Sequence, residues 1–394
     1  LEDIVAKKIV LAYSGGLDTS VAIPWLIDKG YEVITFSADV GQGKKNFDSV
    51  LRRAKKAGAK KVIFRDLKKE FIENYAFSAL KAEALYENRY YLATALSRPL
   101  IAEHLVDIAK QEKAQAIAHG CTGKGNDQVR FEVAVKVLAP KIEIVAPLRI
   151  WELKSREDEI EYAKLKRIPI EIKESTYSID RNLWGLSIEC GVLEEIDKEA
   201  PEDIFMLTNS LDKTPGKAEH IEIEFKKGRP VGLNSKKLSA VEIVGALNKI
   251  AGRHGIGRVD MVENRLVGIK SREVYESPAA TVLYFAHREL ESLVLDRELS
   301  HFKSSISSKY AELIYYGLWF TPLREALDSF VDFTQNSVNG KIKLKLYKGN
   351  IKVTGRESKN SKYSYSMATY TDKDKFEHKA AEGFIKIWSQ SYMR

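Results

Sequence analysis

The feature that most constrains this chain is a nine-residue stretch, Ala12-Tyr13-Ser14-Gly15-Gly16-Leu17-Asp18-Thr19-Ser20. It lies between the apolar run Ile9-Val10-Leu11 and a helical-looking run from Val21 to Leu26. A strand that passes through Ser-Gly-Gly straight into a helix leaves several backbone N–H groups open at one helix N-terminus, which makes an anion site. Gly15 and Gly16 permit positive φ and a close approach of backbone to phosphate oxygens. Ser14, Thr19 and Ser20 bring hydroxyls to the same mouth. Asp18 would repel phosphate unless it caps the helix or holds a cation, and it is read as doing both, with Mg²⁺ as the cation. The spacing matches neither Gly-x-x-x-x-Gly-Lys-Ser/Thr nor Gly-x-Gly-x-x-Gly, so the expected ligand is a pyrophosphate held without a lysine.

The surroundings of this loop predict a doubly wound α/β domain. Lys8–Leu11, Glu32–Phe36, Lys61–Phe64, Gln115–Ala118 and Ile142–Val145 read as short strands apolar on both faces, the signature of buried parallel strands. Helical periods fall at Thr19–Lys29, Phe47–Ala57, Pro99–Lys113 and Asn126–Leu138. Ser155, followed by Glu157 and Asp158, opens a further helix that Pro169 stops, and the domain boundary is placed there, giving a first domain of residues 1–169. Beyond it the chain becomes α+β. Strands are expected at Ile221–Phe225, Pro230–Leu233, Val267–Ser271, Lys341–Tyr347 and Asn350–Thr354, with helices at Ser239–Arg253, Ala279–Glu291, Pro322–Thr334 and Lys375–Gln390. Residues 170–370 form this second domain. The closing segment, 371–394, carries the apolar stripe Phe376, Ala380, Phe384, Ile387 and Trp388 and is expected to meet another subunit.

Composition excludes several classes. No run approaches the roughly 18 apolar residues of a membrane helix, and the first eight residues lack a secretory layout, so a soluble cytoplasmic protein with no membrane partner is expected. The chain begins with Leu rather than Met, so its natural start is expected to differ. Cys121 and Cys190 are the only cysteines and form no CxxC pair, which argues against a disulfide framework or a cysteine zinc site. The net charge of +8 comes from 63 basic and 55 acidic side chains interleaved along the chain, which does not point to nucleic acid.

Further stretches carry the substrate. Ser37-Ala38-Asp39-Val40-Gly41-Gln42 leaves the second strand at the ligand edge, where the small Ala38 lets backbone face an adenine. Gly120 to Arg130 (GCTGKGNDQVR) is a polar, glycine-rich loop running into a helix, and Arg89 to Pro99 and Tyr177 to Glu189 add hydroxyls and charges. Taken with Val262-Glu263-Asn264-Arg265, Lys270-Ser271-Arg272 and Tyr275-Glu276-Ser277-Pro278, these motifs occur in the order found in argininosuccinate synthases, which the chain resembles along nearly its whole length.

That resemblance implies an adenine-nucleotide alpha-hydrolase-like first domain, a synthetase second domain, and a cytoplasmic homotetramer. It implies condensation of citrulline with aspartate, driven by cleavage of ATP to AMP and pyrophosphate through a citrullyl-adenylate. ATP would lie on Ala12 to Ser20, Ala38 and Gly120, with Mg²⁺ at Asp18. Citrulline would be held by Tyr90, Thr94, Asn126, Arg130, Ser178, Ser187, Glu263 and Tyr275, and aspartate by Thr122, Asn126 and Asp127. Arg130 suits the citrulline carboxylate and Glu263 its ammonium. Asp18 and Asp127 are the catalytic candidates. Two positions depart from relatives: Ala95 stands where some carry a hydroxyl, and Leu186 replaces a polar residue and is expected to change the pocket wall beside Ser187.

Two rival readings exist. An RNA-modifying adenylating enzyme would share the loop, and the lysines at 341, 343, 345, 348 and 352 would be its attraction; their alternation with Ile342, Leu344 and Leu346 marks instead the solvated face of a strand. A silent nucleotide sensor would have no use for Arg130 and Glu263 together.

Overall fold

A computed structural model describes residues 6–43, 47–169 and 176–393. Five strands, β1 (Lys7–Ala12), β2 (Tyr31–Asp39), β3 (Lys61–Asp66), β4 (Ala116–Ala118) and β5 (Glu143–Val145), form a parallel sheet in the order β3-β2-β1-β4-β5. Helices Leu17–Asp28, Phe47–Lys56 and Arg156–Leu165 cover one face through Ile23, Trp25, Val50, Ala54 and Ala163. Helices Ala93–Glu112 and Asn126–Leu138 cover the other through Leu96, Leu105 and Phe131. Enclosed on both sides, Ile9, Val10 and Leu11 are fully buried, which is why β1 reads as an unbroken apolar run. The chain moves from β1 to β2 on one side while β4 lies on the other. That reversal opens a crevice beyond the carboxyl ends of β1 and β4, where ligands of such sheets bind.

The second half is built on two antiparallel sheets. One has the order β11-β12-β7-β6, from β6 (Ser178–Arg181), β7 (Leu186–Glu189), β11 (Arg258–Asn264) and β12 (Lys270–Glu276). The other has the order β10-β9-β8-β13-β14, from β8 (Glu219–Lys226), β9 (Arg229–Leu233), β10 (Lys236–Lys237), β13 (Gly340–Tyr347) and β14 (Asn350–Glu357). On β13 the expected alternation holds, with Ile342, Leu344 and Leu346 buried and Lys341 and Lys343 reaching Glu222 on β8. Capping boxes at Ser155/Asp158 and Ser239/Glu242 start their helices, and Pro322 is the first residue of helix Pro322–Thr334. A single apolar core runs from Val10 and Leu100 through Trp184 and Tyr284 to Ile223 and Leu346, so the two halves are packed as one body.

The structure corrects several sequence expectations. The helix expected to open at Pro99 begins at Ala93 and carries Pro99 inside, because residues 93–97 are buried and tertiary packing outweighs the proline. Of the strand expected at Val267–Ser271, only Lys270 and Ser271 are strand, opening β12; residues 267–269 lie in a hairpin turn, with Gly268 at φ +87 and Arg265 N–H donating to the Ile269 carbonyl. Residues 68–81, with a π-helical turn over Phe71–Ala76, and the long helix Arg297–Tyr315 are additional. The boundary placed after Pro169 adjoins residues 170–175, which lie outside the described residues.

Gly41 shows how tightly β2 is joined to the second half. It sits at φ +94, and a Cβ there would come 2.6 Å from Leu183 Cβ and 2.8 Å from Leu183 N. Leu183 N–H donates to the Val40 carbonyl at 2.9 Å, so neither backbone can retreat without breaking that bond. Gly41→Ala is expected to cost about 2–3 kcal/mol from the left-handed φ and the clash together, read as a lower urea midpoint; an unchanged midpoint would show that the junction yields freely.

Candidate active site

A cavity of ≈ 550 Å³ lies at the β1/β4 crevice and extends under β6, β7, β11 and β12. Its floor is the strand-to-helix turn after β1. Gly15 takes φ +78 with its carbonyl accepting from Arg53 Nη1 at 2.6 Å, and a Cβ there would lie 2.8 Å from Val50 Cγ1. Gly16 is the N-cap of helix Leu17–Asp28, and no side chain caps that end. The first turn is therefore left without a side-chain cap, the state an anion site requires, and Asp18 and Thr19 bring it to the cavity wall.

Asp18 was expected to cap this helix, but the extended backbone of Gly16 makes Gly16 the cap and puts Asp18 in the first turn. Ser14 Oγ and Thr19 Oγ1 lie 3.1 Å apart and line the cavity with Ala12, Tyr13 and Asp18. Ser20 turns inward instead, donating to the Gly16 carbonyl at 2.7 Å and meeting Tyr13 Oη at 3.0 Å, so it shapes the loop. Leu17 packs against the core beneath, and neither it nor Gly15, Gly16 or Ser20 is part of the cavity wall.

Asp18 has a carboxylate neighbour that sequence reasoning missed. Glu159, on helix Arg156–Leu165, is pushed up to about 8 by burial and by contact with Asp18, and its Oε2 is buried without a hydrogen-bond partner. Above the turn, Gly120 closes so near that a Cβ would meet Thr19 Cγ2 at 2.7 Å. Ala38, Phe36 and Ile101 form the apolar side of this end, with Gln42 beside them held to the Ala38 carbonyl.

The far end is built from charges and rings. Arg130, 4% exposed, donates from Nη1 to Asp127 Oδ1 at 2.9 Å and from Nε to the Tyr315 carbonyl at 2.9 Å. Arg98 holds the other oxygen of Asp127 at 2.9 Å and reaches Asp180 at 2.7 Å. Burial pushes the Asp127 carboxyl up, but the two guanidinium charges outweigh it and hold the group below the usual carboxylate range. A carboxylate so held is a poor proton acceptor.

Glu263, 2% exposed, accepts from Tyr275 Oη at 2.6 Å and from Tyr315 Oη at 2.5 Å. Burial still raises it above its ordinary value. Tyr90 stacks on Tyr275 with ring centres 4.0 Å apart, and its hydroxyl accepts from Thr94 N–H at 3.0 Å. Thr94 Oγ1 and Ser187 Oγ lie 3.4 Å apart, and Ser178, Thr122 and Asn126 complete the wall. Asn126 is itself engaged, donating to Tyr315 Oη and accepting from Leu266 N–H. Leu186 was expected in this wall. It instead points to the other face of β7, buried with Ile188, Leu193 and Val274, since neighbours on a strand alternate. Ala95 is likewise buried in the core, leaving Thr94 at the cavity.

Family models match both halves of the chain: the arginosuccinate synthase N-terminal HUP domain over residues 8–169 and the arginosuccinate synthase C-terminal domain over residues 177–393. The chain belongs to the argininosuccinate synthase family. It is 56% identical to argininosuccinate synthase of Carboxydothermus hydrogenoformans over 98% of its length and 96% of the relative's. For the Aquifex aeolicus protein the identity is 54%, and for that of Lactococcus lactis subsp. lactis 55%, each over 97% of this chain and 96% of the relative. As a member of this family it is an enzyme, an ATP-using ligase of arginine biosynthesis. Among the described residues, no helix is long and apolar enough to cross a membrane.

In this argininosuccinate synthase family member most of the residues assigned by resemblance line one cavity, and residues not so assigned join them: Arg98, Asp180, Glu189, Arg265 and Glu273. Arg265 bridges Glu189 and Glu273, yet burial and the Glu189 charge push Glu273 up to about 8. The folded protein therefore binds this proton more tightly than the unfolded chain, and the associated stability is complete below about pH 4.5 and lost as pH rises through about 8. Glu273→Gln, which cannot ionise, is expected to lose less thermal stability than the parent between about pH 6 and pH 9 in substrate-free protein. Parallel curves for the two proteins would refute that origin of the shift.

Proposed function

We propose that the cavity divides among three substrates of one adenylating ligation. ATP lies over Ala12 to Ser20 with its pyrophosphate on the first-turn amides and its adenine against Ala38, and Gly120 closes over it. Citrulline occupies the far end. Arg130 takes its carboxylate, Glu263 its ammonium, and Tyr90, Thr94, Asn126, Ser178, Ser187 and Tyr275 its remaining polar atoms. Aspartate enters beside Thr122, Asn126 and Asp127. The carrying observation is that one cavity joins an uncapped glycine turn to a buried Arg130 and Glu263, a phosphate reader and an amino-acid reader within reach of each other.

In the reaction, the ureido oxygen of citrulline attacks the α-phosphorus of ATP and pyrophosphate leaves. The aspartate amine then attacks the activated ureido carbon, AMP leaves with the former ureido oxygen, and argininosuccinate remains. Asp127, pinned by two arginines, serves by charge and position, orienting the amine rather than storing its proton. The amide-rich turn stabilises the departing pyrophosphate.

The donors at the turn fit Mg²⁺, since a paired Asp18 and Glu159 with a buried, unpartnered Oε2 is the oxygen set that a magnesium–phosphate complex uses. Bound there, the ion would neutralise charge on the leaving group. The closing helix, His378–Ser389, has no buried residue, and Phe384, Ile385, Ile387 and Trp388 are each more than 60% exposed. We assign this helix to a contact in a homotetramer, and the enzyme to the cytoplasm without a nucleic-acid partner.

Three experiments test the reading. AMP and pyrophosphate release from Mg-ATP should require citrulline, with argininosuccinate appearing only when aspartate is also present; release indifferent to citrulline would discard the substrate assignment. Arg130→Lys should raise the KM for citrulline about 10- to 100-fold while that for ATP stays within about twofold, because lysine cannot clamp a carboxylate with two parallel bonds. Removing residues 371–394 should yield a smaller species in sedimentation; an unchanged mass would return the helix to its own subunit.

A further inference from the structure

Tyr315 is the last residue of helix Arg297–Tyr315, belongs to no motif, is fully buried and does not line the cavity. Yet it touches four of the residues assigned above to citrulline. Its hydroxyl donates to Glu263 Oε1 at 2.5 Å and accepts from Asn126 Nδ2 at 2.8 Å. Its carbonyl accepts from Arg130 Nε at 2.9 Å, and the Arg130 guanidinium lies 4.8 Å from its ring centre. The same ring meets Tyr90 edge-on at 6.3 Å and stacks flat on Tyr86 at 3.5 Å.

We propose that Tyr315 is a positioning residue that sets the distance between Arg130 and Glu263, and so makes the cavity selective for the zwitterionic head of an α-amino acid. The proposal rests on the assignment of citrulline to those two side chains. One residue fixes both charges through different atoms: the backbone oxygen orients the cation and the phenol oxygen orients the anion. The hydroxyl can do this only as donor to Glu263, and Asn126 enforces that direction by filling its lone pair.

The ring is held from outside the site by Tyr86, whose own hydroxyl donates to the Asn264 carbonyl, next to Glu263, at 2.6 Å. The chain beyond the helix is fixed as well. Gly317 at φ +75 lies so close that a Cβ would meet Arg130 Cα at 2.7 Å, so the helix end and the arginine move together. Because Glu263 is buried, losing one of its two phenol donors favours its neutral form, which no longer attracts an ammonium.

Tyr315→Phe keeps the stack and the backbone contact and deletes only the phenol oxygen. It should raise the KM for citrulline about 10-fold or more with kcat and the KM for ATP within about twofold, and move the acid limb of kcat/KM for citrulline to higher pH. In a Glu263→Gln background the same change should add little, since both act through one carboxylate. Equal losses for all three substrates, an unmoved acid limb, or additive effects in the double variant would each overturn the proposal. A parent enzyme whose AMP release ignores citrulline would instead remove the substrate assignment beneath it, so the two failures are distinguishable. Thermal unfolding of each variant separates weakened binding from loss of fold.

Discussion

The site depends on one partly buried ion triad: Asp127, half-buried at the cavity wall, gripped by Arg98 from the preceding helix and by the buried Arg130 from its own. Two guanidinium groups and a carboxylate cannot be withdrawn from water unless each is almost fully hydrogen-bonded, and the surroundings supply those bonds. Asp180 on β6 takes the second arm of Arg98, and the carbonyl of Tyr315 takes Nε of Arg130. Satisfying one carboxylate therefore recruits two helices of the parallel-sheet domain, a strand of the second half and the end of a long helix. The wall of the cavity follows from this demand. Removing Asp127 would leave the buried Arg130 without its ion partner, so the halves are tied by electrostatics as well as by the apolar core they share.

A second constraint acts at the opposite end. The turn after β1 keeps its shape because Gly15 takes a left-handed φ with no room for a Cβ, and its neighbours hold it so. Val50 fills the space a Cβ at Gly15 would need, Arg53 anchors its carbonyl, and Ser20 ties Gly16 to Tyr13 from beneath. The turn is rigid before any ligand arrives, so little ordering is left to be paid for on binding.

How much of this was legible in the sequence follows from how local each signal is. The phosphate turn, the parallel strands and the capped helices are encoded within a few residues and read directly. The hairpin of β11 and β12 was not, because its pattern is inverted: Glu263 is buried while Val262 is 48% exposed, so a polarity count places the strand on the wrong face. Its function as a charge reader is what hides it. Helix Arg297–Tyr315 had a legible start in Asp296, whose side chain accepts from Leu299 N–H, but its buried Lys303, paired with Glu291, masks the apolar face. Arg130, Glu263, Tyr90 and Tyr275 could be gathered from sequence only through family motifs. Glu159 and Tyr315 could not be gathered at all, since each acquires its role from the docking of a helix far along the chain.

The chain's positive charge is a poor guide to this cavity. Among the described residues, six carboxylates line it, Asp18, Asp127, Asp180, Glu189, Glu263 and Glu273, against the three guanidinium groups of Arg98, Arg130 and Arg265 and no lysine. All three arginines are committed to carboxylates within the wall. On the proposed assignment, a polyphosphate entering such a place gains little from side-chain cations, and its charge is met by backbone amides and by an ion it brings with it. That accounts for a phosphate turn with no lysine of its own, and for a pair of carboxylates beside it that would otherwise only repel. On the same assignment, Arg130, which also holds Asp127, is the cation that reads the amino acid. The proposed division, ATP read by the backbone and citrulline by side chains, would allow one cavity to hold several acids without losing the distinction between them.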